Sequence, residues 1–177
     1  MTRNEFIAGM AGIAGVVAMA KTEGPAPWFH GKRAKFEYTG DLTAPPETVF
    51  PLLCPVREYE WLDGWTCEMI YSESGIAEHN CVFRTNRPPA GPAVWCVNRY
   101  EPPARIEFVV TSADEVARLC ISLERAANNG TRIRWERMFT GLNEEGNART
   151  AAWNVEIDRA LCEKIEHFTR TGKMLRA

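Results

Sequence analysis

Apolar and polar residues alternate through most of the chain beyond residue 34, and this period of two predicts β-strands. Each alternating run is bounded by Gly, Pro or Asn. The predicted strands span residues 35–42, 66–72, 80–85, 93–100, 105–111, 115–126 and 131–140. Because short turns join the last six, we expect mainly antiparallel pairing.

The pattern changes to helix in two places. Residues 43–47 read TAPPE, a helix start with Pro in the first turn, and predict a short helix through Leu53. Pro55 interrupts it, and residues 56–62 predict a second short helix that ends at Gly64. At the other end, one apolar stripe without internal Pro or Gly predicts a single long amphipathic helix from Asn147 to about Gly172.

This order of elements predicts an α+β fold with a curved seven-stranded antiparallel sheet around a long C-terminal helix. The sheet needs a cover for its apolar face, and only the terminal helix is long enough to provide one. We expect the two short helices after the first strand to close one end. A curved sheet on a helix leaves an internal space, and apolar pockets of this type are the usual ligand sites.

The hairpin around residues 128–130 fixes which side chains face inward. A two-residue Asn-Gly turn would mix polar and apolar residues on one face. A three-residue loop with Gly130 in the left-handed conformation gives one apolar face instead. That register pairs Ala127 with Thr131, Leu123 with Trp135, Ile121 with Arg137 and Leu119 with Phe139. For the hairpin at residues 101–104 the pattern leaves open whether Trp95 and Val97 or Cys96 and Asn98 point inward.

Arg137 is the one charged residue that this register places inward, between Trp135 and Phe139. An unpaired buried guanidinium would cost several kcal/mol. Two explanations remain open. In the structural explanation, Arg137 forms an ion pair with Glu156 or Asp158 of the terminal helix, or it reaches water at a strand end. In the functional explanation, it anchors a ligand carboxylate or carbonyl.

Composition and charge exclude several classes of function. The chain has 177 residues, enough for one domain, with 21 Lys and Arg against 23 Asp and Glu and a formal net charge of −2. Neither nucleic acid nor an anionic membrane surface is therefore an expected partner. The six cysteines include no Cys-x-x-Cys pair, so no metal site and no cofactor are predicted. We expect the cysteines to be small buried residues, with disulfides as the alternative in an exported protein.

The first residues predict an export signal. Residues 6–20, FIAGMAGIAGVVAMA, are uncharged and end in the Ala-x-Ala pattern of a cleavage site. This run is too short for a membrane span. TRNEFI resembles the twin-arginine export motif, but Asn4 stands in place of the second Arg. We predict a signal at 1–20, a linker at 21–33, a domain at 34–172 and a tail at 173–177. The protein is then periplasmic or extracellular, or cytoplasmic if the signal is not used.

Two stretches and the final helix resemble the START-like superfamily, also called SRPBCC. They read TAPPETVFPLLCPVREYEWLDGW at 43–65 and WCVNRYEPPARIEF at 95–108. The superfamily includes polyketide cyclases and dehydrases, Bet v 1-like proteins and lipid-transfer START domains. The resemblance implies a helix-grip fold with a hydrophobic cavity, but no invariant catalytic set and no particular reaction.

In members that resemble this chain, the short-helix segment closes the cavity. The resemblance therefore implies that Tyr59 and Trp61 pack into the domain while Arg57, Glu58 and Asp63 stay solvated. Trp61 or Trp65 is then either a packing residue or a ligand contact.

Two functions follow as hypotheses. The first is binding, and in some settings carriage, of a small hydrophobic molecule. The second is a cyclase- or dehydratase-type enzyme that acts on a polyketide-like or other apolar substrate, with Arg137 and Tyr71 or His79 as paired groups. Catalytic residues and the oligomeric state are not assigned. The candidate ligand-binding residues are Arg137, Trp135, Trp61, Tyr71, Ile121 and Phe139.

Overall fold

All seven predicted strands form and pair in one antiparallel sheet, in the order β1-β7-β6-β5-β4-β3-β2. The computed structural model describes residues 29–87 and 91–176. The strands are β1 (Arg33–Leu42), β2 (Cys67–Tyr71), β3 (Val82–Arg87), β4 (Gly91–Glu101), β5 (Arg105–Ser112), β6 (Glu115–Arg125) and β7 (Thr131–Gly141). The sheet is curved and stays open, with β1 and β2 as its edges.

The predicted long C-terminal helix is present and ends where expected, but its predicted start is wrong, because two helices occupy the predicted span. Helix α2 spans Glu144–Ala152 and helix α3 spans Glu156–Thr171. At the break, Trp153 has extended backbone angles (φ −63°, ψ 146°). The Asn154 side chain accepts a hydrogen bond from the Glu156 amide at 3.0 Å. An Asn side chain that hydrogen-bonds to nearby backbone competes with the hydrogen bonds of a continuous helix. A hydrophobic stripe does not reveal this competition.

The first predicted short helix ends at Leu53 as expected, whereas the second is reduced to one short turn. Helix α1 (Pro46–Val49) continues as a 3₁₀ turn at Phe50–Leu53, and a second 3₁₀ turn covers Glu58–Glu60. No helix within the described residues is long and apolar enough to cross a membrane. The predicted export signal at 1–20 and most of the predicted linker lie outside the described residues.

The β6–β7 hairpin forms with a different register from the predicted one. Arg125 pairs with Thr131, and Ile121 pairs with Trp135. The loop therefore has five residues, and Asn128 and Asn129 carry the positive φ angles while Gly130 has φ −80°. Gly130 is needed for another reason: a Cβ there would lie 2.5 Å from the Leu42 carbonyl oxygen on β1. Because the register moves by two residues, the inward face stays the same.

The β4–β5 hairpin points Trp95 and Val97 inward. Val97 is fully buried. The Trp95 ring packs against Phe83 and Phe108, with centroids 5.5 and 5.7 Å apart. Of the two alternatives that the sequence leaves open, the structure therefore shows the one with Trp95 and Val97 inward.

Helix α3 covers one edge of the concave face rather than its middle. Its buried residues Cys162 and Ile165 pack near β1 and β7 in the hydrophobic core. The Cys162 sulfur accepts a hydrogen bond from the Trp135 indole of β7 at 3.2 Å. The concave side of β3 to β6 consequently lies beside the helix rather than under it, and a space remains there.

Candidate functional site

A cavity of about 500 Å³ lies between the concave face of the sheet, α3 and the segment around the second 3₁₀ turn. This volume falls within the range of about 300–1,000 Å³ that is typical of small-molecule sites. Aromatic rings form much of its wall, including Phe83, Trp95, Phe108 and Trp153. Leu161 of α3 also faces it. The cavity can therefore enclose an apolar molecule of modest size.

Five of the six candidate residues line this cavity. They are Trp61, Ile121, Trp135, Arg137 and Phe139. Four of them lie on the neighbouring strands β6 and β7, and Trp61 lines the same cavity from just after the second 3₁₀ turn.

The sixth candidate, Tyr71, lies elsewhere. It is 57% exposed, and its hydroxyl lies 3.2 Å from a Glu73 carboxylate oxygen. The pairing of edge strand β2 shifts between Met69 and Tyr71, and this irregularity ends the regular alternation that the prediction assumed. His79 is also exposed and does not line the cavity. The acid–base pairings of Arg137 with Tyr71 or His79 are therefore not formed.

Trp61 and Trp65 build the end wall of the cavity. The Trp61 indole N–H donates to the Leu52 carbonyl at 2.9 Å, and the Trp65 indole N–H donates to the Pro55 carbonyl at 2.8 Å. Since each buried indole is satisfied by backbone of the same segment, both rings are held in place and offer apolar surface.

Four other residues of this segment were also assigned a position from the sequence, and of these Asp63 is exposed as expected. Tyr59 does not pack inside as expected: it is 46% exposed, and its hydroxyl is hydrogen-bonded to the Cys67 backbone at 2.8 Å. Arg57 forms an ion pair with Glu60 at 2.8 Å on the outside. Glu58, expected in solvent, is part of the cavity lining.

Arg137 combines a structural ion pair with a place in the cavity wall. Its Nε and Nη2 lie 2.7 and 2.6 Å from Oδ1 of Asp158 in the first turn of α3. The side chains of Arg137 and Asp158 are 10% and 1% exposed. The Arg137 guanidinium carbon also lies 5.6 Å from the Trp135 ring centroid and 5.0 Å from that of Trp153. The predicted partnership with a carboxylate of the terminal helix is confirmed for Asp158, whereas Glu156 pairs with Arg159 at 3.3 Å.

Glu115 is an acidic residue of the lining that the sequence reasoning missed. Burial raises the pKa of its carboxyl, and the negative charge of Asp114 raises it further, while Arg149 opposes the shift. Glu115 is the first residue of β6 and lies on the same face as Ala117. The alternation of the strand could therefore have identified it as an inward residue. Trp153 was missed because the predicted helix was expected to continue through it, whereas the chain breaks there between α2 and α3.

The cysteines are all free thiols, and Cys54, Cys81, Cys120 and Cys162 are buried. Burial raises the pKa of the Cys162 thiol to about 12. Within the described residues no group of three or more His, Cys, Asp or Glu side chains could hold a metal ion. The Cys162 thiol therefore acts as a packing group.

Comparison with known proteins shows the family. A model of the family described as polyketide cyclase / dehydrase and lipid transport matches residues 33–163. The chain belongs to this family and so to the START-like superfamily. No match is found among curated proteins.

Solved structures share the fold at low sequence identity. Norcoclaurine synthase from Thalictrum flavum, in complex with dopamine and hydroxybenzaldehyde, is 9% identical with a TM-score of 0.63, over 81% of this chain and 90% of that chain. The Mll3558 protein from Rhizobium loti is 16% identical with a TM-score of 0.59, over 77% and 97% of the two chains. Ara h 8.0201 is 13% identical with a TM-score of 0.54, over 77% and 97%. At these identities the similarity extends to the fold alone.

Proposed function

We propose that this protein binds a small hydrophobic molecule inside the cavity. The observation that carries the proposal is the cavity itself: about 500 Å³, with a largely aromatic wall and the Arg137 guanidinium as a polar point. Burying apolar surface contributes about 25 cal/mol per Å², so an apolar body would supply most of the affinity. Trp61, Trp135, Ile121 and Phe139 would contact that body, and Arg137 would lie near its polar end.

A cyclase- or dehydratase-type enzyme is the second candidate, and Glu115 is the observation that favours it. A carboxyl that faces an apolar cavity with a raised pKa has the property that general acid catalysis needs. Lys164 also lines the cavity and could supply a second polar group. Replacing Glu115 by Gln would abolish turnover by such an enzyme and would leave binding by a carrier intact.

Native mass spectrometry of the full chain, purified from its native cell without detergent, tests the proposal. We expect a fraction of the protein to carry a non-covalent adduct of a few hundred daltons that organic extraction removes. The extracted protein should then regain stability when an apolar ligand is added, by about 2.7 kcal/mol at 100 times the Kd. An adduct-free protein that no apolar compound stabilises would contradict the proposal.

A further inference from the structure

The aromatic wall of the cavity favours positive charge. The faces of aromatic rings are electrically negative and attract cations. The protein itself uses this attraction, because the Arg137 guanidinium carbon lies 5.6 Å from the Trp135 ring centroid and 5.0 Å from that of Trp153. Trp95 and Phe139 add further rings to the wall. A cationic ligand would therefore find a favourable surface here.

The cationic side chains of the lining already have protein partners. Within the described residues they are Arg118, Arg137 and Lys164. Their partners are, in the same order, the Glu107 carboxylate, the Asp158 carboxylate and the Leu175 backbone carbonyl. Two of the three positive charges are thus compensated by a carboxylate, and the third is hydrogen-bonded to the C-terminal tail. An anionic ligand would gain little from these side chains.

The Glu115 carboxylate lacks such a partner. Within the described residues, hydrogen bonds of Glu115 involve its backbone alone, and its side chain forms no ion pair. The cation that acts on it, Arg149, is paired with Asp114. Both carboxylate oxygens keep accessible surface, so a ligand can reach them. Burial raises the pKa of this carboxyl, because its negative charge is poorly solvated there.

The strand register places Glu115 at a different part of the cavity from Arg137. Glu115 pairs with Gly141, whereas Arg137 pairs with Leu119. These pairs lie four residues apart on β6, which corresponds to about 13 Å along a strand. Beside Glu115, the inward residues of β3, β4 and β5 form one row of small side chains, namely Thr85, Ala93 and Ser112. The small side chains leave space for a ligand head group next to the carboxylate.

We propose that the Glu115 end of the cavity binds a protonated amine, so that the preferred ligand is a hydrophobic cation. The ammonium group donates hydrogen bonds to the Glu115 carboxylate and compensates its charge, which a neutral molecule cannot do. A ligand carboxylate at this end would meet a like charge. Arg137 can still contact a second, uncharged polar group of the same ligand. This inference rests on the proposed function, because it names the class of molecule that the cavity binds.

Matched naphthalene compounds test the inference on the full chain. 1-Naphthylmethylamine is a cation at about pH 7, 1-naphthylmethanol is neutral, and 1-naphthoate is an anion. Each competes with the neutral fluorescent probe N-phenyl-1-naphthylamine. We expect the amine to bind about tenfold more tightly than the alcohol, as a charge-assisted hydrogen bond predicts, and naphthoate to bind most weakly. The N-acetylated amine has lost its charge and should bind like the alcohol.

Two variants locate the selectivity at Glu115. Glu115→Gln keeps the shape of the side chain and removes its charge, so the amine should lose about tenfold in affinity. The alcohol and the neutral probe should bind this variant as they bind wild type, because the apolar wall is unchanged. Glu124→Gln removes an exposed carboxylate from the same strand and should keep the wild-type preference for the amine. The comparison with the N-acetylated amine uses wild type alone and does not depend on either variant.

Two results would overturn the inference. One is a wild-type protein that binds the alcohol or the N-acetylated amine as tightly as the amine. The other is a preference for the amine that persists in Glu115→Gln and is lost instead in Glu58→Gln, because Glu58 is the other acid of the lining. Failure of the proposed function looks different, because then neither the neutral probe nor the neutral alcohol binds.

Discussion

Arg137 of β7 and Asp158 of α3 form a buried ion pair, with Nη2 and Oδ1 2.6 Å apart. The pair joins the sheet to the first turn of the terminal helix beside the cavity. Arg137, a strand residue that breaks the apolar pattern, also lines the cavity. We therefore expect changes at Arg137 to affect both the stability of the fold and the cavity wall.

Replacing Arg137 by Met tests the structural part of this role. The substitution keeps most of the side-chain length but leaves the Asp158 charge buried without its partner. We expect the free energy of unfolding to fall by about 3–5 kcal/mol, the usual cost of breaking a buried pair from one side. Urea denaturation followed by tryptophan fluorescence measures it.

Arg134→Met is the matched control on the same strand. Arg134 faces the outer side of the sheet, where it pairs with Glu37 at 2.7 Å and both side chains are about half exposed. Exposed ion pairs contribute little, so this variant should unfold close to wild type. Equal losses in both variants would show that the Arg137–Asp158 pair has no special structural role.

The inward position of Arg137 was predictable even though its predicted partner across the hairpin was not. The sequence placed Ile121 opposite Arg137, whereas the structure places Leu119 there. A shift of two residues preserves the face of every side chain, so alternation alone fixed the inward set. The structure also brings Gly130 close to the backbone of Leu42 on β1, a tertiary approach that alternation does not reveal.

The corner at Trp153 could not be predicted in the same way. Residues 147–171 contain neither Pro nor Gly, and their apolar stripe fits one helix. The break depends on Asn154 as a local acceptor and on the Trp153 ring, which packs 4.7 Å from the Phe139 ring. Tertiary packing overrides a weak local preference there. Tyr71 was misplaced for a related reason, since an edge strand can change its pairing without a sequence signal.

Glu115→Gln should change the pH dependence of stability. The pKa of Glu115 is raised in the folded protein, mainly by burial. Below the pKa of a glutamate in the unfolded chain, about 4.3, the carboxyl is protonated in both states and its burial costs no stability by this route. The cost appears as the pH rises through the raised pKa of the folded state. The variant should thus have a higher Tm than wild type at about pH 7.5, and the difference should shrink toward pH 4.

Thermal unfolding followed by circular dichroism across this pH range measures the effect. Glu124→Gln, at an exposed position of the same strand, is the control for removing a carboxylate. A Glu115→Gln protein that is less stable than wild type at neutral pH would contradict the burial argument.

Cys162 should resist alkylation in the folded protein. Its pKa is about 12, mainly because of burial, and only the thiolate reacts with iodoacetamide. At about pH 8 we expect the half-buried Cys96 to be modified first and Cys162 only after unfolding. Peptide mass spectrometry after timed quenching identifies the modified residues. Early modification of Cys162 would show that α3 opens readily from β7.

The central claim, that the cavity binds an apolar molecule, is tested most directly by filling it. Ala117 lines the cavity, whereas Ala127 is exposed in the β6–β7 loop outside the lining. Fluorescence titration with N-phenyl-1-naphthylamine compares wild type, Ala117→Phe and Ala127→Phe. We expect Ala117→Phe to keep the fold by circular dichroism and to lose at least about tenfold in affinity, while Ala127→Phe binds like wild type. Equal affinity in all three proteins would contradict the claim, because the probe would then bind outside the cavity.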